Sequence, residues 1–98
     1  GIEGEAPYVR CKTDVYHDMQ KEKRALERLE KEMGSLLKER ERIFQAFVTD
    51  PLKRDVALAK RLKEIATVSL EQEQSWFAAH ERLETLEREM RTAKEEYG

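Results

Sequence analysis

The chain has 98 residues, of which 41% are charged and only 7% are aromatic, and this composition excludes a thick globular core. It is therefore one small domain or a part of a longer protein. The formal net charge of −2 also excludes a general polycation that binds nucleic acid over its whole surface.

The cysteine count and the apolar content bear on the cellular compartment of the protein. A single cysteine, Cys11, cannot form an internal disulfide, which is compatible with a reducing compartment. The chain has no run of about 18 apolar residues and no charged-then-apolar leader, so we expect neither a membrane span nor secretion. We therefore expect an intracellular protein without a membrane partner; the composition does not identify the compartment.

Residues 1–13 have the composition of a non-helical segment. Two glycines and a proline among the first seven residues disfavour a helix. Tyr8 and Val9 offer apolar surface that can lie against another element. We predict a short extended arm here, with a frayed terminus as the alternative.

The first predicted helix begins at Thr13 or Asp14, because either side chain can accept hydrogen bonds from the first free amide groups of a helix. Apolar residues then alternate spacings of four and three without a break, which is typical of a heptad repeat. The ten positions of this series are Val15, Met19, Glu22, Leu26, Leu29, Met33, Leu36, Arg40, Ile43 and Phe47.

Additional apolar residues widen the stripe near the end of this helix. Leu37, Phe44 and Val48 lie beside the heptad positions and indicate better packing there, with a third element as a possible cover. Gly34 lies inside the same helix, where glycine costs roughly 1 kcal/mol relative to alanine. It either allows a partner to approach closely or is a tolerated weak point.

A turn is predicted at Thr49, Asp50 and Pro51. Asp50 can cap a second helix, and the proline ring suits the first helical position. The second apolar series is displaced by one residue from the first, and the displacement occurs at this turn signal. The pattern favours a fold-back here, with a continuous helix that dimerises as the alternative.

The second predicted helix follows Pro51 and has a heptad series of its own. Its positions are Leu58, Leu62, Ile65, Ser69, Gln72, Trp76, Ala79, Leu83, Leu86, Met90, Ala93 and Tyr97. The sequence therefore predicts an all-α fold in which residues 14–98 form two long helices paired as an antiparallel coiled-coil hairpin.

A fold-back at residues 49 and 50 predicts which residues face each other, because their numbers then add to about 98 to 100. Val15 meets Leu83, and the second helix extends about ten residues beyond the start of the first. Glu22 faces Trp76, whose indole N–H either donates to that carboxylate or is simply packed in the core.

Three further polar side chains have alternative interpretations. Arg40, at a heptad position, either extends outward or fixes the register. His17 and His80 nearly face each other, an arrangement that suits a metal ion or a pH switch. Together with Cys11, however, they match no closed zinc spacing, so we predict no metal site.

No catalytic motif is recognisable in the chain. It has no phosphate-binding glycine loop, no nucleophile elbow and no His-Glu-x-x-His run. We expect no enzymatic activity and no cofactor. The predicted function is a structural protein–protein interaction module in a larger assembly or homo-oligomer, and the predicted partner interface comprises Trp76, Leu83, Leu86, Met90 and Tyr97.

The charges are distributed unevenly along the predicted hairpin. Between residues 38 and 63, eight basic residues oppose four acidic ones, whereas from residue 65 onward four basic residues oppose eight glutamates. The turn end is therefore basic and the open end acidic. A basic end on a projecting rod suits contact with nucleic-acid phosphates, which is the alternative function.

Residues 26–87 resemble the C-terminal coiled-coil hairpin of ABC-F type ATPases. The resemblance is carried by Glu39, Glu41, Asp50, Pro51, Leu58, Leu62, Ile65, Trp76, Leu83 and Glu84. In that family the hairpin is an accessory domain that contacts ribosomal RNA or branched DNA. The resemblance implies a nucleic-acid contact through the basic tip, formed by Lys53, Arg54, Lys60 and Arg61.

Overall fold

The computed structural model describes residues 8–97, with the backbone alone for Tyr97. Helix α1 comprises Lys12–Thr49 and helix α2 comprises Val56–Tyr97, and no strand occurs in the described range. The two helices pack against each other in a rod of 72 × 28 × 14 Å. The all-α helical hairpin predicted from the sequence is confirmed. Neither of the two helices contains an apolar stretch of the kind that crosses a membrane.

The core of the hairpin is a single seam between the helices. Seven apolar side chains are buried in the described part of the chain, and every one occupies a predicted heptad position. These are Val15, Leu26 and Ile43 of α1, and Ile65, Ala79, Leu83 and Ala93 of α2. No polar or charged side chain is buried among the described residues, so the helices are joined by a narrow apolar contact.

The turn differs from the prediction in length and in its capping residue. Helix α1 ends at Thr49, and the Lys53 amide donates to the Asp50 carbonyl in a tight turn that has Pro51 at its second position. The Asp55 carboxylate, rather than that of Asp50, accepts the Leu58 amide at 3.0 Å and caps α2. The prediction of Asp50 as the cap was wrong because the φ angle of proline, fixed near −65°, suits this turn position as well as a first helical position.

The longer connection changes the register of the two helices. Because residues 50–55 separate the helices, facing residues have numbers that add to about 105, close to the value for Leu26 and Ala79 in the core. Leu83 packs with Leu26, whereas the predicted register placed it opposite Val15. The predicted facing pairs were therefore wrong by about one to two helical turns.

The amino-terminal end of the described chain covers most of the predicted overhang of α2. Helix α1 begins at Lys12, after Cys11, which has extended backbone and makes no side-chain cap. Arg10 donates to Glu89 at 3.0 Å, and its hydrogen bonds with Asp18 and Glu89 raise its pKa. The earlier part of the predicted arm, residues 1–7, lies outside the described residues.

Candidate interaction surfaces

The predicted partner interface is largely used inside the hairpin. Leu83 is buried in a cluster with Leu26 and Ala79, and Trp76 packs against this cluster. Leu86 and Met90 are half-buried, and the side chain of Tyr97 lies outside the described part of the structure. Leu83 is therefore not open to a partner, which corrects its predicted role, because the register directs it toward Leu26.

The seam tryptophan has a different polar partner from the one predicted. The Trp76 indole donates to the Glu30 carboxylate at 3.2 Å, and the ring still packs against the core. Glu22, the predicted partner, instead accepts from Arg82 at 2.9 Å. The two helices are displaced relative to the predicted pairing, so each of these side chains meets a residue further along the opposite helix.

One side of the hairpin carries ion pairs between the helices, and we call it the polar face. Arg61 donates to both carboxylate oxygens of Glu39, at 2.6 and 2.8 Å, and to Glu64 at 3.3 Å. The hydrogen bond from Arg61 lowers the pKa of Glu39 below its ordinary value of 4.5. Such a bidentate contact is geometrically specific, so it helps to define the register of the two helices near the turn.

The polar face is continuous with a groove whose lining residues are mostly charged or polar. The residues along it are Arg28, Lys31, Glu32, Ser35, Leu36, Glu39, Arg42 and Gln72. Charged side chains of both signs alternate there, as on the solvated side of an ordinary coiled coil. This side of the hairpin therefore has the character of a solvent-facing surface.

In the half of the hairpin nearest the turn, the opposite side carries exposed apolar side chains. We call this surface the apolar face. Six large apolar side chains are exposed on it, from 38% of Phe44 to 79% of Val56. They are Leu37, Phe44 and Val48 of α1, and Val56, Leu70 and Phe77 of α2. Isolated exposed apolar residues are ordinary, but a set that shares one side of a structure indicates contact with another surface.

Two grooves, together with the helical spacing of the residues beside them, place these side chains on one side. Leu37 and Gly34 of α1 form a groove with Ser69 and Glu73 of α2. Leu70 lies three residues before Glu73, and Phe77 lies four residues after it. At these spacings helical side chains are neighbours.

Nearer the turn, Phe47 lines a second groove with Val56 and Ala59. Val56 lies fourteen residues before Leu70, a spacing that keeps two residues on one side of a paired helix. Phe44 likewise follows Leu37 by seven residues. The apolar face therefore extends across both helices from the turn to Phe77.

An aromatic cluster forms the end of the apolar face that is farther from the turn. The Phe77 ring meets Trp76 edge-on at 5.2 Å between centroids, and His80 lies 4.0 Å from Trp76. The Nε2 atom of His80 is buried without a hydrogen-bond partner among the described residues.

The two histidines do not lie opposite each other as the sequence predicted. His17 is exposed beside Tyr16, at 6.2 Å between ring centroids, whereas His80 belongs to the cluster around Trp76. The displaced register explains the difference. In residues 8–97 no group of three or more candidate metal ligands comes together.

The basic tip is only partly available to an external ligand. Lys53 and Arg54 are exposed in the connection between the helices, and Lys60 is exposed near the start of α2. Arg61 is half-buried, and its hydrogen bonds to Glu39 and then Glu64 raise its pKa. Arg61 thus belongs to the polar face rather than to an open phosphate site.

Arg40 extends outward, in line with one of the two interpretations that the sequence allowed. Its guanidinium lies 5.1 Å from the centroid of the Phe44 ring, one turn further along α1. This cation–π contact covers part of Phe44 and leaves the remainder exposed. A charged heptad position is thus accommodated at the border of the apolar face.

The α2 half of the apolar face was not recognised from the sequence. A signal exists, because residues with alternating spacings of three and four form a second heptad series beside the first. Its members are Val56, Ala59, Lys63, Ala66, Leu70, Glu73 and Phe77. The lysine and the glutamate interrupt the series, so it is weaker than the series that forms the seam.

Comparison of the chain with family models, with curated proteins and with solved structures finds no match. The function is therefore inferred from the geometry of the hairpin itself.

Proposed function

We propose that this chain is a helical-hairpin module that binds another protein through the apolar face. The observation that carries the proposal is that six large apolar side chains remain exposed on one side, in a chain whose described part buries only seven. A hairpin with one apolar stripe has little stability of its own. Covering the apolar face with a partner buries apolar surface that the seam alone leaves exposed.

The physical basis of binding is apolar burial at the centre with charge selection at the edges. Phe44, Leu70 and Phe77 act as anchors, because large side chains that become desolvated contribute most of the affinity of an interface. Arg40 and Glu73 lie at the border of the face, where charge complementarity selects the partner and its orientation. The role is structural, within a larger assembly.

A second candidate function is contact with nucleic acid at the turn end, in line with the resemblance to ABC-F hairpins. Lys53, Arg54 and Lys60 favour it, because they are exposed and none forms an ion pair with a described carboxylate. Three exposed cations provide a weak, strongly salt-dependent site. We rank it second because Arg61 is engaged by Glu39.

Affinity capture from an extract of the source cells separates the two functions. The face variant carries Leu70→Glu and Phe77→Glu, and the tip variant carries Lys53→Gln, Arg54→Gln and Lys60→Gln. We expect the wild type and the tip variant to retain the same protein partner between about 50 and 500 mM salt, because apolar contacts are little screened. The face variant is expected to lose it.

Loss of the partner from the tip variant, or its release by nuclease or by about 200 mM salt, would contradict the proposal and support the nucleic-acid function. Circular dichroism of both variants provides the control for folding. The five substituted positions are exposed and lie outside the buried seam, so helix content should be unchanged in each variant.

A further inference from the structure

We infer that the occupant of the apolar face is a second copy of this chain, docked face to face and antiparallel to form a four-helix bundle. The inference rests on the proposed function and specifies its partner. Three properties of the described residues support it: the area of the face, the symmetric positions of two of its apolar side chains, and the positions of its charges.

The area of the face suits a dimer. If a large apolar side chain offers about 150 Å² of surface, the exposed fractions of the six residues add to on the order of 550 Å². Interfaces of homodimers are about 65% apolar, so such a patch belongs to an interface of roughly 850 Å² on each copy. A stable complex typically buries about 800 Å² on each partner.

Two of the three exposed apolar side chains of α2 on this face, Val56 and Phe77, are placed symmetrically about Ala66 and Thr67. Val56 and Phe77 lie at nearly equal distances on either side, about 31 Å apart along the helix. When α2 crosses its own copy antiparallel at this centre, Val56 of one chain meets Phe77 of the other. The two-fold symmetry produces two such contacts. Ala66 has a small side chain, so the two helices can approach closely there.

The charges on the face are complementary under the same operation. Lys63 lies about three residues before the centre and Glu73 about six residues after it, and neither forms an ion pair with another described residue. The antiparallel crossing brings Lys63 of one copy within about one helical turn of Glu73 of the other. The apolar stem of Lys63 then lies over Leu70 of the second copy.

The charges beyond the apolar face favour the same orientation. In the antiparallel dimer, Lys53 and Arg54 of one copy come within about one and a half helical turns of Glu84 of the other, which lies on the same side of α2 as Phe77. A dimer with both turns at one end would instead bring Lys53 and Arg54 against their own copies. Like charges brought together oppose association, so the antiparallel arrangement is selected.

Sedimentation velocity of the purified chain over a range of concentrations tests the inference. We expect the wild type to associate to twice its mass of 11.6 kDa, with little dependence on salt. The face variant, Leu70→Glu with Phe77→Glu, is expected to raise the dissociation constant at least about 100-fold. The matched control is Val68→Glu, on the same helix but outside the apolar face, and its dissociation constant should stay near that of the wild type.

Two further experiments test the orientation of the copies. Lys63→Glu alone should weaken the dimer by roughly two- to five-fold, and adding Glu73→Lys should restore it, because the exchanged charges again meet across the two-fold axis. In a Cys11→Ser background, Ala66→Cys should form a disulfide-linked dimer faster than Val68→Cys does. Equal rates for the two cysteine variants would overturn the antiparallel crossing.

A wild-type chain that remains near 11.6 kDa at the highest concentration would overturn the second copy as occupant. The proposed function would survive that result if the capture experiment still showed a protein partner lost from the face variant. If capture also failed to depend on the face, both proposals would be wrong. A dimer equally weakened by Val68→Glu would place the contact elsewhere and overturn the inference.

Discussion

The observed register predicts a specific energetic coupling between Leu26 and Leu83. Both side chains are 8% exposed and belong to one cluster with Ala79. Replacing either leucine with alanine removes three carbon groups, worth about 2.4 kcal/mol at roughly 0.8 kcal/mol each, and the remaining cavity adds to this cost. We therefore expect each single variant to lose about 2.5 to 3.5 kcal/mol of unfolding free energy.

The double variant, Leu26→Ala with Leu83→Ala, should lose less than the sum of the two, by about 0.5 to 1.5 kcal/mol, because the first truncation already removes part of the contact made by the second. Urea unfolding followed by circular dichroism at several protein concentrations measures all four free energies. The control cycle pairs Leu83→Ala with Val15→Ala. Val15 is fully buried, but it lies eleven residues before Leu26, about 16 Å along α1.

We expect the Val15 and Leu83 substitutions to be additive. Coupling between Val15 and Leu83, combined with additivity between Leu26 and Leu83, would refute the observed register and restore a tight fold-back at residues 49 and 50. If both cycles are additive, the cluster around Leu26 does not form in solution.

Three other predictions concern the cap of α2, Gly34 and Glu39. Asp55→Ala should destabilise the hairpin by about 1 kcal/mol in urea unfolding, because the Leu58 amide loses its capping oxygen, whereas Asp50→Ala should have little effect. Gly34→Ala should raise the thermal midpoint by stabilising α1 by about 0.5 to 1 kcal/mol, since a Cβ there meets no side chain beyond its chain neighbours and no backbone of α2 within 4 Å; a fall would show that the space is occupied. The pKa of Glu39 is lowered in the folded state, so its contribution is present above its ordinary value of 4.5 and is lost as the pH falls below it. Glu39→Gln should therefore flatten the acid side of the stability profile, and an unchanged profile would mean that the pair with Arg61 does not persist in solution.

The buried seam was predictable because it depends on local spacing alone. A helix brings residues three and four positions apart onto one side, so the apolar series containing Val15, Leu26 and Ile43 identifies a buried stripe whatever it packs against. The weaker series of α2, from Val56 to Phe77, was present in the sequence by the same rule. It was missed because Lys63 and Glu73 interrupt it.

The pairing across the seam was not predictable to the same degree, because it depends on the length of the connection between the helices. Pro51 suits a tight turn and a first helical position equally, so local preference does not decide between a short fold-back and the observed six-residue connection. Each additional residue in the connection displaces all facing pairs. This explains why Trp76 meets Glu30 instead of Glu22.

The sequence by itself determined the helical class of the chain, the two heptad stripes and the position of the break between them, because helix periodicity is a local property. Only the tertiary structure decided the register of the pairing across the seam and which apolar residues beside the seam remain exposed. That choice is made by packing, because burying Leu83 against Leu26 requires Leu37, Leu70 and Phe77 to remain on an uncovered side. The candidate interaction surface is therefore defined by the pairing of the two helices, and neither helix specifies it alone.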